Sequence, residues 1–277
     1  MNDYGPSTFE KGSLRDQLKS GTREVHGVAD KLFTQNFVKD VMDRATYRHF
    51  LSQLYFLYEA MEAELRRNET HPVVGPVHFP DELERVAAIE EDLAYYYGPA
   101  WRSEISCLPS MRRYVERVRK VGREQPELLI AHAYVRYLGD VSGGQIIKRI
   151  IGRLFTLPAD GSGIAFFEFG RMESIAKFKE FYNGRMNALE LDDETVTALV
   201  DEAKLSFQFS VNVFSEVIDA AAKRRTEAVD ANGQTDVTTS SSEGVSNRTA
   251  MLAMASLVVT LSATMLGFCP WFTREIL

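Results

Sequence analysis

The sequence predicts an all-α fold, a single compact multi-helix domain of residues 13–225 followed by a C-terminal transmembrane helix. Three observations predict it. Apolar residues recur at helical spacing from residue 13 to residue 225, no alternating run of five or more residues reads as a strand, and an uncharged apolar segment lies near the C-terminus.

The elements follow in chain order. Residues 1–12 are polar and read as a flexible N-terminus, not a signal peptide. From Ser13 to Leu32 the stripe Leu14, Leu18, Val25, Ala29 and Leu32 predicts an amphipathic helix. Asp43 is placed to cap a helix that carries Tyr47, Phe50, Leu51, Leu54, Tyr58, Met61 and Leu65 on one face. Pro80 opens a helix expected to reach about Tyr96, and Pro109 opens one expected to reach Val121. Pro126 precedes a long apolar stretch to Leu154. The run Ile164 to Phe167 is ambiguous. Asp192 or Asp193 starts a last helix, with Val196, Leu199, Ala203, Phe207, Val211, Phe214 and Val217 in phase.

Residues 226–249 contain nine Ser/Thr and no aromatic residue, too little apolar surface to offset the entropy of ordering, so they read as a disordered linker. Residues 250–270 then read as a transmembrane tail anchor, the competing reading being a buried core helix.

Composition narrows the function. The chain has 277 residues with only two cysteines, which excludes a disulfide scaffold or a cysteine zinc site. A net charge of −7 excludes a protein built to bind nucleic acid. Between Ser110 and Arg153, however, ten Lys/Arg stand against four Asp/Glu, a basic patch that suits an anionic partner or simply solvated helix faces.

Two helices break their own patterns. On the first, His26 borders the buried stripe with Asp30 four residues on, an arrangement in which a neutral imidazole binds a metal while an acceptor orients its other nitrogen. A lone helical histidine is also often just a hydrogen-bonded boundary residue. On the second, Gly139, Gly143 and Gly144 interrupt an apolar helix at about 1 kcal/mol each relative to alanine. They clear a slot for a planar ligand beside Asp140, Ser142 and Gln145, or they serve tight packing or a loop.

The run from Ala131 to Gln145, AHAYVRYLGDVSGGQ, closely resembles the signature of haem oxygenases, and LKSGTREVH from Leu18 to His26 resembles their proximal helix. The resemblance extends through FPDELERVAAIEEDLAYYYGPAW, PELLIAHAY, GIAFFEF and FKEFYNGRMNAL and covers about residues 13–222. It implies oxidative opening of haem b, both substrate and cofactor, at the α-meso carbon. The products would be biliverdin, carbon monoxide and ferrous iron. It also implies O2 and NADPH-derived electrons delivered through NADPH–cytochrome P450 reductase, with biliverdin reductase as a candidate second partner. The anchor would place the chain in the endoplasmic reticulum membrane with its catalytic domain facing the cytosol. Residue by residue, it implies His26 as the axial iron ligand, Gly139, Gly143 and Gly144 as the distal wall, and Asp140 as the distal acid acting through a water. Tyr58, Tyr114, Arg136 and Tyr137 would form a supporting polar network. Lys19, Arg23, Lys179 and Tyr134 would hold the propionates, and Phe207 and Phe214 would wall the pocket. Asn183 departs from the arginine of the resembled run and Asp30 from a glutamate. A haem buffer without turnover and a cofactor-free helical adaptor are the other functions these residues admit.

Overall fold

The computed structural model describes residues 12–33 and 42–232. Those residues are helical, with no strand among them. The N-terminus before Gly12, most of the expected linker and the expected anchor at 250–270 lie outside the described residues.

The first helical segment is divided, where one helix was expected. α1 spans Leu14–Gly21 and α2 spans Arg23–Lys31, with buried Thr22 between them. The Thr22 hydroxyl donates to the Leu18 carbonyl at 2.7 Å, a side-chain bond that competes with the helix ladder and marks the joint. α3, Arg44–Arg67, begins as the sequence predicts: Asp43 Oδ1 accepts the Thr46 N–H at 2.7 Å.

The helix expected from Pro80 to Tyr96 breaks. α4 covers only Pro80–Leu83, and α5 covers Val86–Tyr97. The cause comes from α3. The buried Glu62 carboxylate accepts the N–H groups of Arg85 at 2.6 Å and Val86 at 3.2 Å, capping α5 from outside its own segment.

Next come α6, Trp101–Glu104, and α7, Pro109–Glu124, the latter extending past Val121. A 3₁₀ turn at Pro126–Leu128 leads into α8, Leu129–Leu154, which continues through its glycines. The ambiguous run is a 3₁₀ turn, Ala165–Phe167, held by Asp92 of α5, whose carboxylate accepts the N–H groups of Ala165 and Phe166 at 2.8 and 2.9 Å. α9 spans Ile175–Asn187. α10 spans Asp193–Asn232 and starts from Asp192, which accepts the Thr195 N–H at 2.8 Å. It runs past residue 225, so the first residues of the expected linker are helical.

α3, α8 and α10 form the centre of the core. α3 packs on α5 and α7, and α10 packs on α1, α2, α7 and α8. At Gly21 a methyl group would collide with Val200, so the missing side chain lets α10 approach α1 closely. Buried Glu202 on α10 ties three helices, accepting from Arg117 of α7 and from His132 Nε2 of α8 at 2.9 Å. Burial raises its pKa, but the bonds from His132 and Arg117 outweigh that and hold it at about 2. His132 is thus structural.

Candidate functional site

A cleft of about 560 Å³ opens between α1–α2 on one side and α8 on the other, with α9 and α10 at its ends. That volume suits a large organic ligand.

Helical spacing aims the residues. On α8 the lining residues Val135, Leu138, Gly139, Ser142, Gly143 and Ile146 recur every three or four positions, so a single face looks into the cleft. A methyl group built on Gly139 or Gly143 would meet no atom within 4 Å. The two glycines therefore clear space in the cleft itself and serve no helix–helix contact.

On the facing wall, His26 and Asp30 lie one turn apart. Burial draws the imidazole below its ordinary value, with the Asp30 charge working against it, which favours a neutral ring with a lone pair to offer. Asp30 is raised by burial, opposed by His26. The Phe207 ring of α10 meets His26 edge-on, centroids 5.4 Å apart at 73°, and limits the ring's rotation. The cleft's rim is cationic. Lys19 and Arg23 come from α1 and α2, Lys179 from α9, and the Tyr134 hydroxyl group adds a donor.

Asp140, Tyr58 and Arg136 form a layer behind the glycine wall and do not line the cleft. The Tyr58 hydroxyl donates to Asp140 Oδ2, and Arg136 Nη2 donates to Oδ1 at 3.3 Å. Burial pushes the Asp140 carboxyl well up, while the two donors favour its charged form. Of the expected network, only Tyr58 and Arg136 reach Asp140. Tyr114 shares a 2.5 Å bond with Ser206 of α10, and the buried Tyr137 hydroxyl has no protein partner among the described residues.

Two expected pocket residues lie elsewhere. Gly144 stands five residues after Gly139, about 140° round the helix at 3.6 residues per turn. It faces Phe167, whose Cδ1 would lie 2.9 Å from an added methyl group, so it serves packing. Phe214 lies two turns beyond Phe207, past the end of the cleft, and packs on Phe33 and Phe50 with centroids at 5.1 Å. Sequence reasoning missed Arg15, which lines the cleft one turn before Lys19. Carrying the Lys19, Arg23 spacing one step back would have found it.

The described residues hold no cluster of three His, Cys, Asp or Glu able to bind a metal ion. Cys107 is half-buried, and burial raises its thiol, which argues against a nucleophile. In the basic patch, Lys148 pairs with Glu168, while Arg149 and Arg153 are exposed.

The chain is similar to known proteins in sequence and in fold. The family described as Heme oxygenase matches residues 12–216. Heme oxygenase 1 of Homo sapiens is 45% identical over 205 residues, 74% of this chain and 71% of that protein. Heme oxygenase 2 of Oryctolagus cuniculus is 37% identical over 229 residues, 82% and 73% of the two chains. Among solved structures, heme oxygenase-1 from the cyanobacterium Synechocystis, in complex with heme, superimposes with a TM-score of 0.74 at 38% identity, covering 81% of this chain and all of that one.

Proposed function

The chain belongs to the haem oxygenase family, and from that premise we propose that the cleft between α1–α2 and α8 holds haem for oxidative opening of its ring. The protein is an enzyme that degrades haem. One observation carries the choice of site: a histidine on one wall of a cleft faces two helical glycines whose missing side chains leave open space. The residues fit a flat macrocycle, which His26 would hold from one wall while bare main chain at Gly139 and Gly143 leaves room on the other. When bound, haem supplies the iron at which O2 is activated and the ring that is oxidised.

The chain's own residues then divide the work. His26, kept neutral by burial and met edge-on by Phe207, would hold the haem iron through its lone pair. Gly139 and Gly143 let the α8 backbone approach the opposite face. Lys19, Arg23, Lys179 and Tyr134 bind the propionates at the rim. Asp140 sits behind the glycine wall and does not line the cleft, so it would act on a bound haem at one remove. Tyr58 and Arg136 position that carboxyl. Held in this way, the Asp140 carboxyl would be the chain's own place to keep or release a proton next to that chemistry. The products are then biliverdin, carbon monoxide and ferrous iron.

We propose further that NADPH-derived electrons arrive through a reductase with an acidic surface docked near Arg149 and Arg153. Residues 250–270 anchor the chain in the endoplasmic reticulum membrane, a reading supported by their uncharged sequence. The test uses the full-length protein with haemin, ascorbate and O2. Loss of the Soret band with release of biliverdin and carbon monoxide is expected, whereas a Soret band that persists rejects ring-opening. Raising salt should slow turnover driven by the reductase and spare turnover driven by ascorbate. Equal slowing in both removes the docking surface.

A further inference from the structure

The cationic rim of the cleft is uneven. Lys19 and Arg23 stand on the α1–α2 wall, and Lys179 answers them from α9. One turn along α9 from Lys179, and so on the same face, Asn183 lines the cleft without a charge.

Arg15 reaches this uncharged part of the rim from α1. It precedes Lys19 by one turn and lines the same cleft, at the end remote from His26. Its backbone N–H donates to Asn187 Oδ1 at 3.1 Å, which fixes the start of α1 to the end of α9. Its charge is felt on both adjoining elements. Lys179 is lowered by burial and then by Arg15, and Tyr134, raised by burial, is drawn back by Arg15. Arg15 lines one cleft together with Tyr134 of α8 and Lys179 of α9. Its Nη1 donates to Asp16 at 3.0 Å, but both side chains are exposed, and such pairs are weak. A planar fork of five donors has capacity for a second carboxylate. Asp30, the acid among the lining residues, is at the His26 end of the cleft.

We propose that Arg15 is a ligand-positioning residue: it pairs with a propionate carboxylate of haem on the α9 side of the cleft, where Asn183 offers no charge, and thereby fixes the in-plane rotation of the ring. This rests on the reading that the cleft holds haem. The rotation matters because it decides which meso carbon faces the layer of Asp140.

The test titrates full-length wild type, Arg15→Ser and the double variant Arg15→Ser/Asn183→Arg with haemin and with haemin dimethyl ester, following the Soret band. Arg15→Ser should weaken haemin binding about fivefold to tenfold, the scale of one partly exposed charge-assisted contact. The ester has no carboxylate to pair, so its affinity should change by less than roughly twofold. Adding Asn183→Arg should restore most of the haemin affinity. Under ascorbate, Arg15→Ser should release a broader mixture of biliverdin isomers than wild type does. Unchanged haemin affinity overturns the proposal. Equal weakening for haemin and the ester also overturns it, since it would mean that Arg15 shapes the cleft without touching a carboxylate. A wild-type protein that shows no Soret band with haemin overturns the underlying reading, and that is measured before any variant.

Discussion

Alanine at Gly139 or Gly143 should stabilise the ligand-free protein while impairing haem binding, and alanine at Gly144 should destabilise the protein while leaving haem binding nearly unchanged. At Gly139 and Gly143 an added methyl group meets nothing within 4 Å. Within a helix, alanine is favoured over glycine by about 0.5–1 kcal/mol. The double variant Gly139→Ala/Gly143→Ala should therefore gain about 1–2 kcal/mol, or roughly 2–8 °C in Tm for a domain of this size. Both methyl groups project into the cleft, so haemin affinity should fall about tenfold or more. At Gly144 the same change puts a methyl group 2.9 Å from Phe167 Cδ1. That ring is buried, and its main chain is held by Gln145, which donates to the Phe167 carbonyl at 2.9 Å. Overpacking of about 1–3 kcal/mol then exceeds the helical gain, and Gly144→Ala should melt several degrees lower with haemin affinity nearly intact. Calorimetry of the ligand-free variants and Soret titration measure both effects. A loss of Tm at Gly139 or Gly143, with haemin affinity unchanged, would refute the assignment of these two glycines to the cleft.

Asp140→Ala should retain haemin affinity within about threefold yet lose at least about a hundredfold in biliverdin release, the usual scale for a positioned proton donor. Single-turnover kinetics with ascorbate check this, and normal biliverdin output would remove Asp140 from the proton path. Glu62 should make the fold pH-sensitive. Burial first, opposed by the bond from Arg85, lifts its carboxyl from 4.5 to about 7 in the folded state. The folded protein thus holds the extra proton. Stability is full below about 4.5, declines as pH rises and loses this contribution above 7, a change of at most about 3 kcal/mol. Glu62→Gln should flatten the slope, so urea unfolding at pH 5 and pH 8 should differ less in the variant than in wild type. Parallel slopes would place the titration elsewhere.

The features legible in the sequence are those set by local chemistry. Asp43 and Asp192 cap the helices they precede because an N-cap needs only its own following amides. His26 and the Gly139, Gly143 pair stand on the faces that helical spacing assigns them. What stayed hidden depends on distant partners. The break at Glu84 and Arg85 is imposed by Glu62 from α3, beyond the reach of any local pattern. Gly144 shared a motif with its neighbours but not their helix face, and its partner Phe167 sits on a turn held by Asp92 of α5. Phe214 kept the periodicity of Phe207 yet fell beyond the cleft, because spacing fixes a face and not a height along the axis. Arg15, by contrast, was within local reach, one turn before Lys19 on the same helix, and needed no distant partner to be found.

The most direct measurement is the resonance Raman and electron paramagnetic resonance spectrum of the full-length protein with ferric haem, wild type beside His26→Ala. A histidine-ligated iron should appear in wild type, vanish in His26→Ala and return when imidazole is added to the variant. An unchanged iron–histidine signal in His26→Ala would contradict the account, for the ring would then be held by some other nitrogen.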